Sequence, residues 1–208
     1  MGDFMKIDMN NVKLELVESN DELSEYKLKG KEGKVLTSFS VEWNKTNALI
    51  SYETSEDCRN QGYASLGLNM LKQELFSTKH ALTLELINLS NDYSRKVAEN
   101  AGFFSPSGSI DYYVTINPAA EEIIESQLLR VQADSTSYTR LQKLLNRIRS
   151  LKKAQKNDKL KKQEQLESLR RDIEIADNED YKENLMREIN HLEGILNPDG
   201  NRDDNDER

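Results

Sequence analysis

Arg59-Asn60-Gln61-Gly62-Tyr63-Ala64 is the stretch in which residue types and spacing point to chemistry as well as packing. An alternating run from Ala48 to Thr54 ends just before it. Ala64, Leu68, Leu71 and Leu75 follow at spacings of 4, 3 and 4. That change of period predicts a strand, a loop and a helix from about Gln61 to Ser77. The first turn of a helix holds backbone N–H groups with no intrahelical partner. The helix dipole adds partial positive charge at the same point. A pyrophosphate fits such a place. Gly62 lets the backbone approach a ligand closely, and Arg59 can add a charge-assisted contact.

Glu53 and Glu56 precede this loop, and Asn91-Asp92-Tyr93-Ser94 follows it. A carboxylate can relay a proton through water, and a serine hydroxyl can assist a departing anion. Each also has a plain reading. Glu53 fits the solvent side of a strand, Glu56 a strand end and Asn91 a loop. Ser94 fits the cap of a short helix from Ser94 to Asn100. Cys58 has no histidine near it in sequence, so it reads as packing rather than a nucleophile. His80 and His191 lack metal-ligand spacing, and no metal is expected. Trp43 reads as packing.

The elements that must position these residues follow from periodicity. Residues 12–18, Tyr26 to Lys29, Val35 to Trp43 and Ala48 to Thr54 read as strands, most simply antiparallel neighbours. Leu82 to Ile87 reads as a buried strand. Phe103-Phe104 and Tyr112 to Ile116 read as a closing hairpin, and Pro118 ends the region. Beyond it the strand pattern vanishes. Ile124, Leu128 and Val131 predict one helix, and Leu141, Leu145, Ile148 and Leu151 another. Leu166, Leu169, Ile173 and Ala176 step as in a coiled-coil seam. Leu185, Ile189, Leu192 and Leu196 continue after a break at Asp177 to Asp180. Residues 140–171 carry 12 basic and 3 acidic residues, and residues 172–208 carry 4 basic and 13 acidic. Opposite charge and matching apolar spacing predict a helical hairpin with a basic and an acidic arm. Charge complementarity within a hairpin or a homodimer explains that split better than a ribosomal RNA or DNA contact by the basic arm. The expected organisation is 1–118 as a sheet domain, 119–196 as a helical extension and 197–208 as a disordered acidic tail.

Composition narrows the class. The chain has 208 residues, 36% hydrophobic and 32% charged, with a net charge of −8. The negative balance argues against indiscriminate nucleic-acid binding. A single cysteine excludes an intrachain disulfide framework. No apolar run is long enough to span a membrane, and the N-terminus lacks signal-peptide character. Gly2 invites comparison with a myristoylation site, but position 6 is lysine. The expectation is a cytoplasmic protein without a membrane partner.

Arg59–Ala64 is similar to the acetyl-CoA pyrophosphate loop of the GNAT N-acetyltransferase superfamily, Q/R-x-x-G-x-G/A. Asn91 to Ser94, with Val97-Ala98-Glu99-Asn100-Ala101-Gly102-Phe103, resembles the motif that follows it, most like the ribosomal-protein N-terminal acetyltransferase branch. The resemblance covers roughly 12–116 and is strong for 48–104. It implies an α+β fold with a twisted mixed sheet whose fourth and fifth strands splay to admit acetyl-CoA. It implies pantetheine pairing along Tyr52, Glu53 and Thr54, and pyrophosphate on Arg59, Asn60, Gln61, Gly62, Tyr63 and Ala64. Asn91 and Ser94 would lie near the pantetheine and thioester. Glu53, Glu56 and Ser94 are the catalytic candidates.

Two departures matter. Many relatives carry a general-acid tyrosine where this chain has Ala98. The two helices that usually follow the first strand are replaced by Ser19 to Ser24, which opens the acceptor side and suits a protein or peptide amine. The expected function is acetyl transfer from acetyl-CoA to such an amine. The alternative is a non-catalytic acyl-CoA-binding module whose helical hairpin mediates oligomerisation or partner binding.

Overall fold

The computed structural model describes residues 12–197 apart from Ser90 and Asp134. The expectations for the N-terminus and for the tail beyond Asn197 fall outside the described residues. The chain divides into two compact units, with the boundary between Lys152 and Lys153.

The first unit is built on six strands in sequential order: β1 (Lys13–Ser19), β2 (Leu23–Lys29), β3 (Val35–Asn44), β4 (Asn47–Thr54), β5 (Thr83–Ile87) and β6 (Tyr112–Ile116). All neighbours are antiparallel except β4 and β5, which are parallel. This is the α+β mixed sheet that the resemblance implies. β1 and β2 are joined directly by Asn20–Glu22, whose turn is held by Asn20 Oδ1 accepting from the Glu22 and Leu23 amides at 2.9 and 2.8 Å. The space for two helices at this point is absent. The expected closing hairpin reduces to one strand and a single bridge, Phe104 to Val114, because Pro106 and the turn after it interrupt pairing.

Two helices cover one face of the sheet, α1 (Tyr63–Ser77) and α2 (Asp92–Asn100). Leu68, Leu71 and Leu75 of α1 are completely buried with Phe39, Val41 and Ile50 of the sheet. Gly67 is the point of closest approach. A Cβ built there would lie 2.4 Å from Phe39 Cζ and 2.8 Å from its Cε2. Gly67→Ala should therefore lower stability. Helix propensity favours alanine by about 1 kcal/mol, but overpacking a rigid core costs roughly 1–3 kcal/mol. A urea-unfolding midpoint at or above that of the unsubstituted chain would show that the Phe39 ring yields freely.

The opposite face of β5 and β6 is covered by α3 (Ala120–Leu128) and the start of α4 (Thr136–Ile175). Ile124, Leu145 and Ile148 are buried there. Arg147 reaches Glu85 of β5 at 2.7 Å, and Arg149 meets Glu121 and Glu125 of α3 at 3.2 and 2.8 Å. The first unit therefore runs past residue 118. Periodicity marked this amphipathic face without revealing what it packs against.

The second unit holds the remainder of α4, a reversal at Ala176–Asn178, and α5 (Glu179–Leu196). The two stretches expected as separate helices, around 141–151 and 166–176, are one continuous α4. Leu166, Ile189, Leu192 and Leu196 are buried together, with Leu169 and Ile173 against them. Gln165 bonds Glu188 at 2.8 Å and Arg170 bonds Glu193 at 2.6 Å. This is the expected helical hairpin, joined from basic to acidic arm. Among the described residues, no helix is long and apolar enough to cross a membrane.

Candidate active site

The candidate site lies where β4 and β5 part. Their parallel register runs from Asn47–Thr83 to Ile50–Leu86 and stops. β4 continues to Thr54 against β3 alone, so Ser51–Thr54 borders β3 on one side and no strand on the other. Free backbone groups at such an edge require a partner. β5 ends with Ile87, and Asn88 turns the chain with φ 58°. A cavity of about 430 Å³ fills the splay, with Glu42, Ile50, Tyr52, Leu86 and Ser94 among its lining.

The loop leaving β4 leads directly to the start of α1. Ser55 stays tied to β3 through its amide on Leu36 O at 3.1 Å and its hydroxyl on Val35 O at 3.0 Å. Glu56–Cys58 form one 3₁₀ turn. Asn60 has φ 61° and Gly62 has φ 81°, ψ −1°, both left-handed. Gly62 is the N-cap residue of α1, and no side chain caps this end. The first intrahelical donor is the Leu66 amide, on Gly62 O at 3.1 Å. The amides of Tyr63, Ala64 and Ser65 come before it and have no acceptor within the helix. No acidic residue lies in the first turn. This end of α1 thus has the donor set and field for an anion.

The other loop side chains bond mainly within the loop. Arg59 donates from Nε to Thr54 O at 3.3 Å, and a guanidinium nitrogen stands 4.0 Å from Glu56. Gln61 Nε2 donates to Asp57 O at 2.9 Å. Asp57 pairs with Lys34, which holds its carboxyl below the usual range. Cys58 is buried, and burial pushes its thiol up, away from thiolate reactivity.

The remaining expected residues fall as follows. Asn91 is the N-cap of α2: its Oδ1 accepts from the Ser94 amide at 2.8 Å. The helix therefore begins at Asp92, not Ser94, because asparagine takes the capping role expected of the serine. Ser94 stands in the first turn on the cavity wall. Glu53 is exposed and alternates away from Tyr52, lining a neighbouring trough with Glu25 and Ser38. Glu56 is exposed on its turn. Neither lines the splay; the carboxylate that does is Glu42 of β3. Ala98 is completely buried.

Sequence reasoning did not single out Glu42, and it named Tyr52 only as a strand residue of the expected pantetheine edge. Glu42 lies 11 residues before Glu53 and reaches the cavity only through the β3–β4 register, where it sits opposite Leu49. The side chain of Tyr52 crosses the splay. Its hydroxyl donates to Ser94 O at 3.4 Å, and burial pushes its pKa up to about 12. Nothing local in the sequence reports that its tip reaches α2. Among the described residues, no group of histidine, cysteine and carboxylate side chains has the arrangement of a metal site.

No family model matches the chain, and no curated protein matches it. Solved structures similar to it are N-acetyltransferases. A ribosomal-protein-S5-alanine acetyltransferase from Vibrio fischeri is 14% identical, with a TM-score of 0.41, covering 47% of this chain and 63% of its own. A spermidine N-acetyltransferase from Vibrio cholerae, solved with CoA and spermine, is 10% identical, with a TM-score of 0.43, covering 47% and 67%. A Vibrio cholerae spermidine/spermine N-acetyltransferase solved with manganese ions is 9% identical, with a TM-score of 0.47, covering 59% and 98%.

Proposed function

We propose that this chain is an acetyl-CoA-dependent N-acetyltransferase acting on an amine of a protein or peptide. One observation carries the reading. The unpaired edge of β4, Ser51–Thr54, runs directly into an uncapped helix N-terminus entered through left-handed Gly62. An edge that can pair with a pantetheine amide therefore ends at a cradle for a pyrophosphate. Bound there, acetyl-CoA supplies an activated acyl group.

The chain's own residues divide the work. Amides of Tyr63, Ala64 and Ser65 hold phosphate oxygens, and Arg59 braces the loop. The β4 edge orients the acyl carbonyl and can polarise it through a backbone N–H. Holding an amine beside that carbonyl contributes much of the rate. Glu42 takes a proton from the incoming ammonium through water. An α-amine, with a pKa of about 8, asks less of this base than a lysine at about 10.4. Tyr52 keeps its proton throughout the neutral range and can donate it to a departing thiolate. It fills the role left open at Ala98. Ser94 backs the phenol through its carbonyl.

Buried Ala98 supports a second reading, an acyl-CoA-binding module without turnover. Calorimetry with acetyl-CoA, followed by a free-thiol assay with an amine-bearing peptide, separates the two. Micromolar binding with amine-dependent thiol release supports the enzyme. Binding without release supports the module. Absence of binding removes both.

A further inference from the structure

The hairpin carries two exposed surfaces of opposite charge that cannot meet within one chain. The first is the stem of α4. Lys153, Lys156, Leu160 and Gln163 recur at spacings of 3, 4 and 3, so they share one face. Leu160 is 54% exposed. Lys159 and Lys161 flank it, and none of these four lysines has an ion pair among the described residues. Residues 153–163 hold five lysines against one aspartate.

The second surface is the tip, where α4 turns into α5. A hollow of about 610 Å³ lies there, with Ile175 and Tyr181 as apolar wall and Asp172 and Asp177 among its lining. Ile175 is 78% exposed and Tyr181 52%. Residues 172–183 hold six carboxylates against one lysine.

Leu160 and Ile175 lie on the same continuous helix, 15 residues apart. At 1.5 Å per residue that is about 22 Å, so the helix holds stem and tip apart. The Debye length at physiological salt is about 8 Å, so the charges hardly sense each other. We propose that the occupant of the tip hollow is a second copy of this chain. Leu160 of one copy inserts between Ile175 and Tyr181 of the other, and the surrounding lysines meet Asp172, Asp177 and Glu179. A two-fold axis lets each tip receive the other copy's stem, so the contact is self-complementary and closes at a dimer. The complementary charges fix register, and apolar burial supplies the attraction.

Sedimentation equilibrium of the full-length chain tests this. A dimer is expected at 50 mM salt, with its dissociation constant raised about tenfold or more at 500 mM. Lys153→Glu/Lys156→Glu/Lys161→Glu and Asp172→Lys/Asp177→Lys/Glu179→Lys should each be monomeric alone. Mixed, they should form a heterodimer, because every stem then faces a tip of opposite sign. Circular dichroism confirms that each variant keeps its helices. A second route is independent of charge: Leu160→Cys mixed with Tyr181→Cys should give a disulfide-linked dimer on oxidation. Positions 160 and 181 of one chain are far beyond the roughly 7 Å Cα limit for a bridge. The proposal is overturned by a monomer at low salt, by charge variants that dimerise alone, by a mixture that stays monomeric, or by cross-linking of Leu160→Cys alone to the same extent. A monomer that binds labelled single-stranded RNA through these lysines also overturns it and assigns the stem to a polyanion.

Discussion

Gly62→Trp is expected to weaken acetyl-CoA binding by at least about a hundredfold while leaving the chain folded, a loss of roughly 2.7 kcal/mol. Gly62 is in the left-handed region at φ 81°, directly before the amides proposed to cradle an anion. If the proposed cradle holds a pyrophosphate, an indole at this position would compete for the same space. The backbone cost is separate and smaller, about 1–2 kcal/mol for a non-glycine residue in that region. Gly62→Ala is the control. It carries the same backbone strain without the bulk, so its melting temperature should fall with that of Gly62→Trp while its affinity falls far less. Calorimetry on both variants decides. Equal affinities for Gly62→Trp and the unsubstituted chain would remove the cradle from the site.

The second large effect is expected at Tyr52. Tyr52→Phe should lower kcat by about 10²-fold and change KM by less than about threefold, in line with the loss of a positioned proton donor. The ring stays, so the contact with Phe39, at a centroid separation of 6.3 Å, is kept. Only the hydroxyl that reaches Ser94 O is removed. The pKa of about 12 makes a further point about sign. Burial disfavours the phenolate, so the proton remains in place up to strongly alkaline pH. Activity of the unsubstituted chain should therefore show no basic limb from this group below about pH 11, and Tyr52→Phe should leave the shape of the pH profile unchanged. A KM that rises while kcat holds would make Tyr52 a binding wall rather than a donor.

The sequence alone determined the order of elements and the position of the loop. Alternation along β3 and β4 is set by the pleat, and the 4, 3, 4 spacing of α1 by the helical turn, so both are visible in a single chain. Gly62 was legible because few other residues accept a left-handed cap. The hairpin was legible because charge and apolar spacing in its two arms match. The tertiary structure decided which residues face one another across the splay. Glu42 joins the cavity through the β3–β4 register, and Tyr52 crosses to α2 because the strands separate after Ile50. It also assigned the capping of α2 to Asn91 and carried the first unit on to Lys152, where Leu145 and Ile148 find their covering face. Local pattern records which side of an element is apolar. It holds no information about which other element that side will meet, because that contact is settled by packing between residues far apart in the chain.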